Sequence, residues 1–358
     1  MPTGQKQALF ATPDTQVSVR HTTLTYTRVM QHKASGLAAL EHLSFAWFVP
    51  VMGWTGLGLS WSRAIDGLGE PAYVVAAACA SLASGILALV LLGTLRRAGV
   101  HRASVLADLR HPVKHTFVSA LPIGMVLLAA LWIGLTHRTP LALEVFWWIG
   151  AVAELATTVW VLSRWLRPAD QGGTPLAALT PVIFLPLVGN LLVAWAGVPL
   201  GHGTWSALQA GIGLLMWPVA LTLLMVRQFQ AGPLPARMTP TWFIMIVPPS
   251  IIGLDLVQLD APLSLVWAVW GMGLFFLLWV LTQLEAIRSQ PFGMAHWGMS
   301  FPLAAFTALT LRLAQTPDGR WLQMPATLML AITSLVILGL TLGTWRGLRH
   351  GGLLAPEN

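Results

Sequence analysis

Five apolar stretches of this chain carry a proline in their interior: Pro50, Pro122, Pro186, the pair Pro248 and Pro249, and Pro302. Each lies in a run long enough to cross a bilayer, not at its edge. Successive prolines are 72, 64, 62 (to Pro248) and 54 residues apart, close to one helical hairpin per interval. A proline inside a helix removes a backbone donor and clashes with the preceding turn. In hydrocarbon the freed carbonyl is tolerable only where it faces protein or a water-filled cavity. Five broken helices at similar spacing therefore imply one cavity that all five line.

The membrane reading rests on composition. Hydrophobic residues are 56% of the 358-residue chain, charged residues 9%, and mean hydropathy is +0.70. A soluble domain carries about 25% charged residues. At about 20 residues per crossing, the chain divides into ten spans, at 41–61, 72–95, 114–135, 142–164, 179–199, 205–227, 240–260, 264–286, 295–315 and 324–345. These form five units, each an odd span with an interior proline, a short turn, a smoother even span and an arginine-tipped loop. Only the sixth span breaks the rule for even spans, with Pro218. Small residues come after the prolines, as at Gly53, Gly56, Gly58, Gly124, Gly189 and Gly253, and let helices approach closely. The plainer account is that proline and glycine are common in membrane helices anyway.

Orientation can be read from the basic residues. Sixteen of the 20 lie in the N-terminal segment or after even spans; only Arg63, Arg138, Arg312 and Arg320 fall on the other side. The positive-inside rule makes the crowded side cytoplasmic, with both termini there, and accounts for the net charge of +7 without nucleic acid. Trp61, Trp205, Trp267, Trp321 and Trp345, near span ends, suit an interface belt. The expected organisation is a flexible cytoplasmic tail over 1–35, a transmembrane domain over 36–347 and a short cytoplasmic tail over 348–358. The single cysteine, Cys79, excludes a disulfide framework within the chain.

Six further stretches carry a family likeness: FVPVMGWTGLGLSW at 48–61, HPVKHTFVSALPIGMVLLA at 111–129, TPVIFLPLVGNLLVAWAG at 180–197, GIGLLMWPVALTLLMVRQF at 211–229, PPSIIG at 248–253 and HWGMSFPLAAFT at 296–307. In these the chain resembles the tellurite-resistance and C4-dicarboxylate transporter family, whose plant branch includes the slow anion channels. The resemblance implies an all-α polytopic membrane protein of ten helices in five hairpins, with quasi-fivefold symmetry. The proline-kinked odd helices would line a central pore and the even helices form an outer ring. It also implies a homotrimer in the cytoplasmic membrane, one pore per subunit, closed at mid-membrane by the phenylalanine before the ninth-span proline. Here that residue is Phe301. Met299 stands where the family commonly has an aromatic.

The function expected is an anion channel or facilitator; the alternative is a proton-coupled carrier or exporter of dicarboxylates such as malate, or of sulfite or tellurite oxyanions. No lysine or arginine lies mid-way along an odd span, so anions would be bound weakly, as conduction needs. Candidate pore-lining donors are Ser44, Ser119, Thr180, Asn190, Ser250 and Thr307, each equally able to bond its own helix. Glu154, in the middle of the fourth span, is a functional candidate because an intramembrane carboxyl is costly. Its two readings are a proton-coupling site and a protonated side chain bonded to Thr157 or a neighbouring helix. Asp255, toward the outer end of the seventh span, is expected to be turned aside or paired. His111 and His115 suit a basic rim or an interfacial anchor better than a metal site, and His296 is a candidate pH-sensitive neighbour of the gate. Paired carboxylates, HExxH, GxSxG and a cysteine nucleophile are all missing, so neither an enzyme nor a cofactor is expected.

Overall fold

In the computed structural model, residues 39–355 are described, and they fold into helices and connecting turns with no strand among them. The expected tail over 1–35 lies outside the described residues. The α-helices that organise the molecule are α1 (Val49–Arg63), α2 (Glu70–Val100), α3 (Arg102–Arg110), α4 (Ala120–Thr136), α5 (Leu141–Ser163), α6 (Phe184–Val188), α7 (Gly203–Ala231), α8 (Val247–Gln258), α9 (Leu263–Leu281), α10 (Ser300–Ala314) and α11 (Gln323–Arg349). Single-turn helices at Ile65–Leu68, Ala194–Gly197 and Leu284–Arg288 lie between them. Seven helical stretches are long and apolar enough to cross a membrane by length and composition, and the apolar segment Pro181–Gly197 is a shorter eighth.

Two kinds of helix separate by burial. In Lys114–Thr136 and Ala236–Gln258, 72% and 78% of the most apolar window is buried within the protein. In Glu70–Val100, Gly203–Ala231 and Leu263–Leu281 the share is 33%, 22% and 22%. The proline-bearing segments are therefore interior and their partners peripheral. The interior segments touch in sequence: α1 packs on α4, α4 on the 189–197 stretch, that stretch on 236–258, α8 on α10, and α10 back on α1. The peripheral helices lean on this ring, α2 against α1, α5 against α4, α7 against 184–197, α9 against α8 and α11 against α10. Their outward faces carry exposed leucines and aromatics such as Leu89, Leu215, Phe275 and Leu335, the surface a helix presents to lipid.

The prolines do not interrupt α-helices, as their interior position in the sequence suggests. Each stands in the first turn of one. A 3₁₀ segment runs into every junction: Phe45–Phe48 before Pro50, Lys114–Ser119 before Pro122, Pro181–Ile183 before Pro186, Ala236–Ile246 before Pro248, and Met294–Met299 before Pro302. The reason is chemical. At the first turn of an α-helix the amide has no intrahelical acceptor, so proline loses nothing there and its φ is already helical. The chain solves the five proline problems the same way, by winding the preceding residues more tightly. The break in each interior segment is a change of helix type.

Few ionisable groups are buried, and one pair of them ties α2 to α3. Arg97, near the C-terminal end of α2, is 2% exposed; its Nη2 lies 2.7 Å from Asp108 Oδ2 in α3, and its Nε donates to the Glu41 carbonyl at 2.9 Å. Lys114 Nζ approaches the other Asp108 oxygen at 3.8 Å. Tryptophans do more than mark the ends of helices. The indole N–H of Trp147 donates to the Val193 carbonyl at 3.1 Å, and that of Trp297 to Thr344 Oγ1 at 2.8 Å. Such bonds hold apolar helices together where the hydrophobic effect gives them no mutual attraction.

Candidate functional site

The interior segments converge on a small cavity of about 40 Å³, and every one of the five contributes to the lining. Val49 and Met52 come from α1, Phe117 and Ile123 from the third segment, Phe184 and Leu192 from the fifth, Ile244 and Val247 from the seventh, Trp297 and Phe301 from the ninth. The lining residues cluster around the 3₁₀-to-α junctions. They are apolar except Thr241, whose hydroxyl donates to the Met238 carbonyl at 2.6 Å and so is occupied. A cavity of this kind favours neither water nor an ion until its shape changes.

Phe301 is 2% exposed and lies one residue before Pro302, with both bordering the cavity. The glycines of α1 make room for this region. A Cβ at Gly53 would lie 2.8 Å from Ser300 Cβ, and one at Gly56 would lie 3.1 Å from Ala304 Cβ. Ser60 fastens the two helices further along, its hydroxyl donating to the Ala304 carbonyl at 2.8 Å.

None of the six polar candidates borders this cavity. Ser44 precedes the first 3₁₀ turn and Thr180 the third, neither with a side-chain capping bond. Ser250 Oγ donates to the Ile246 carbonyl at 2.7 Å, and Thr307 pairs with Thr333 of α11 at 2.9 Å. Ser119 is wholly buried beside α5. Asn190 is the clearest departure. Its amide donates to Thr158 Oγ1 at 2.8 Å and to the Pro186 carbonyl at 3.1 Å, and its oxygen accepts from Gln209 Nε2 at 3.0 Å. Trp205 Nε1 donates to Gln209 Oε1 at 2.6 Å, and Thr158 Oγ1 also donates to the Pro186 carbonyl. Asn190 therefore turns outward, and this chain of side chains satisfies a carbonyl at the break of the fifth segment. The Thr158–Asn190–Gln209–Trp205 network is the feature that sequence reasoning missed. Its signal was present as polar residues on three consecutive apolar helices.

Glu154 of α5 is completely buried. Thr157, one candidate partner, donates instead to the Ala153 carbonyl at 2.8 Å. The carboxyl points toward the interior ring, where Oε1 presses on the Cα side of Gly189 and Ser119 lies alongside. Asp255 is paired, with Trp195 Nε1 donating to its Oδ1 at 2.8 Å. His115 is buried edge-on against Trp160, with Nδ1 2.9 Å from the His111 carbonyl. His296 Nδ1 lies 3.2 Å from the Gly293 amide. No His, Cys, Asp and Glu group that could hold a metal occurs among the described residues.

Apolar helices with lipid-type outer faces, closed around an internal cavity, define a multi-pass membrane protein. Residues 42–345 match the SLAC1 family, described as voltage-dependent anion channel, and the chain belongs to that family. Among its relatives is an uncharacterized transporter of Methanocaldococcus jannaschii, 25% identical over 305 residues, which cover 76% of this chain and 84% of the relative. The tellurite resistance protein TehA homolog of Haemophilus influenzae is 24% identical over 262 residues, 71% of this chain and 76% of the relative. The S-type anion channel SLAH2 of Arabidopsis thaliana is 22% identical over 243 residues, 66% of this chain but 46% of that protein.

Proposed function

We propose that this protein is an anion channel or facilitator with ten membrane crossings, arranged as five hairpins with quasi-fivefold symmetry about a central pore, and that Phe301 is its gate. The observation that carries the reading is the cavity that all five proline-bearing segments line, with the Phe301 ring on its wall. An apolar constriction excludes ions by staying dry, and moving one bulky ring removes the constriction. The 3₁₀-to-α junctions around the cavity place irregular backbone where it faces the protein interior. The names of two relatives, an anion channel and a tellurite resistance protein, support a small anion as cargo; we extend the proposal to inorganic and dicarboxylate anions alike.

The bias of the basic residues supports an orientation in the cytoplasmic membrane with both termini and the arginine-tipped loops toward the cytoplasm. That rim raises the local concentration of anions. Each protomer of a homotrimer would hold its own pore, since one chain's segments close the ring. The six polar candidates act in the scaffold, which leaves the cavity wall itself without strong binding groups.

The test is electrical. Purified protein in planar bilayers under a chloride gradient is expected to pass little current as wild type and a large anion-selective current as Phe301→Ala. Equal currents from the two would overturn the gate, and silence from both with folded protein would favour a coupled carrier.

A further inference from the structure

Glu154 is a carboxyl group that nothing in an anion path with a hydrophobic gate requires. Burying an ionisable group at mid-membrane is costly and marks function when it persists. It is wholly buried, and the Ser119 hydroxyl lies within reach of its carboxyl without completing a hydrogen bond of good geometry. Its position is what gives this meaning. Oε1 rests on Gly189, Ile123 packs against the same glycine, and both Gly189 and Ile123 line the central cavity. Because glycine has no side chain, the wall between the carboxyl and the cavity is one backbone thick.

No charge faces Glu154 from any element around it. The Pro181–Gly197 segment contains no titratable residue. On the third segment, Lys114 is engaged near Asp108, and the buried His115 is held by His111 and Trp160. On α7 the only titratable side chain is Arg227, bonded to the Gly232 carbonyl. On α5 itself the other carboxylate, Glu144, is three turns away and paired with His202 at 2.7 Å. An ionised Glu154 would have no counter-charge; an occupant of the cavity would be its nearest electrostatic neighbour.

We infer that Glu154 is a proton-binding site in the cavity wall, and that its charge decides whether an anion can occupy the cavity beside it. The inference rests on reading the cavity as an anion path. A proton from the aqueous side neutralises the carboxylate, and no other bond changes. Neutral Glu154 leaves the apolar wall permissive. Ionised Glu154 sets a fixed negative charge against the passing anion, and for charges about 6 Å apart at an effective dielectric of about 20 this lowers occupancy roughly 100-fold.

Two measurements test this. With the gate removed by Phe301→Ala, chloride current is expected to be largest in acid and to fall as pH rises. In Phe301→Ala/Glu154→Gln the current is expected to stay at its acid level at every pH. A pH dependence that survives Glu154→Gln, or a Phe301→Ala current that does not vary with pH, would overturn the proposal. Separately, pH-difference infrared spectra of the wild-type protein in lipid should show a carboxylic C=O band that Glu154→Gln removes, and its absence would overturn proton binding without reference to current. If the band titrates while Phe301→Ala carries no current at any pH, the proton site stands and the channel reading fails.

Discussion

The ring of Phe301 occupies the space that a side chain at position 56 would need. A Cβ added to Gly56 would lie 2.8 Å from Phe301 Cδ2, closer than real atoms approach. The proposed gate would therefore be set from two helices, by the ring on α10 and by the missing side chain on α1.

Gly56→Val is accordingly expected to push the Phe301 ring out of its niche. Overpacking of this kind costs about 1–3 kcal/mol, so the variant should unfold at lower temperature in detergent. It should also raise resting current toward that of Phe301→Ala. Restored stability and lowered current in Gly56→Val/Phe301→Leu would show that the two positions act on one contact. Current unchanged in Gly56→Val would separate this glycine from gating.

Asn190 is expected to matter for stability more than for conduction. Replacing it with Leu removes donors to Thr158 and to the Pro186 carbonyl and leaves Gln209 Nε2 with one acceptor fewer. Buried groups left unsatisfied cost about 1–3 kcal/mol. Thermal unfolding in detergent should register that loss, while anion selectivity in the Phe301→Ala background stays the same. A change of selectivity would return Asn190 to the pore wall.

Arg97 and Asp108 form a buried pair at 2.7 Å. Removing one partner strands the other, at about 3–5 kcal/mol. Arg97→Leu should therefore lower folded yield sharply, and Arg97→Leu/Asp108→Leu should recover much of it. Equal damage from the single and double variants would show that the Arg97 bond to the Glu41 carbonyl, at 2.9 Å, is the interaction that counts.

Orientation can be read with thiol labelling, since the one native cysteine, Cys79, is buried. Arg102→Cys on α3 should react with an impermeant maleimide only from the cytoplasmic side, and Asp66→Cys only from the opposite side. The reverse pattern would invert the topology.

Trp195→Phe tests the pairing of Asp255. The indole N–H bonds Oδ1 at 2.8 Å, and Oδ2 has no partner among the described residues. Losing the donor should cost about 1–3 kcal/mol, measured by thermal unfolding; Asp255→Asn in the same background should restore part of it. No loss in Trp195→Phe would show that the carboxyl is served from elsewhere.

The sequence was most legible where backbone chemistry speaks for itself. Pro50, Pro122, Pro186, Pro248 and Pro302 marked the breaks, and their repetition implied the shared cavity, because proline constrains its neighbours whatever the tertiary context. What the prolines did to the helix was harder to read. Pattern alone does not separate a kinked α-helix from a 3₁₀ segment ending at a proline. Asn190 misled because a polar residue on an interior helix has two places to point, and the Pro186 carbonyl behind it draws the amide away from the cavity. Glu154 was ambiguous in another way. Its helix is peripheral, yet Trp147, Gly150, Ala151, Glu154, Thr158 and Val161 recur at helical spacing and are all buried. That stripe was present in the sequence and places the carboxyl on the inward face.

The six residues Met294–Met299 have one further consequence. A 3₁₀ turn rises about 2.0 Å per residue against 1.5 Å in an α-helix, and winds three residues per turn against 3.6. Rewinding those six into α geometry would shorten the segment by about 3 Å and rotate α10 by about 120°. Phe301, two residues beyond the turn, would be carried around with it. Stored in this stretch is the pitch of a screw, whose thread ends at the aromatic ring.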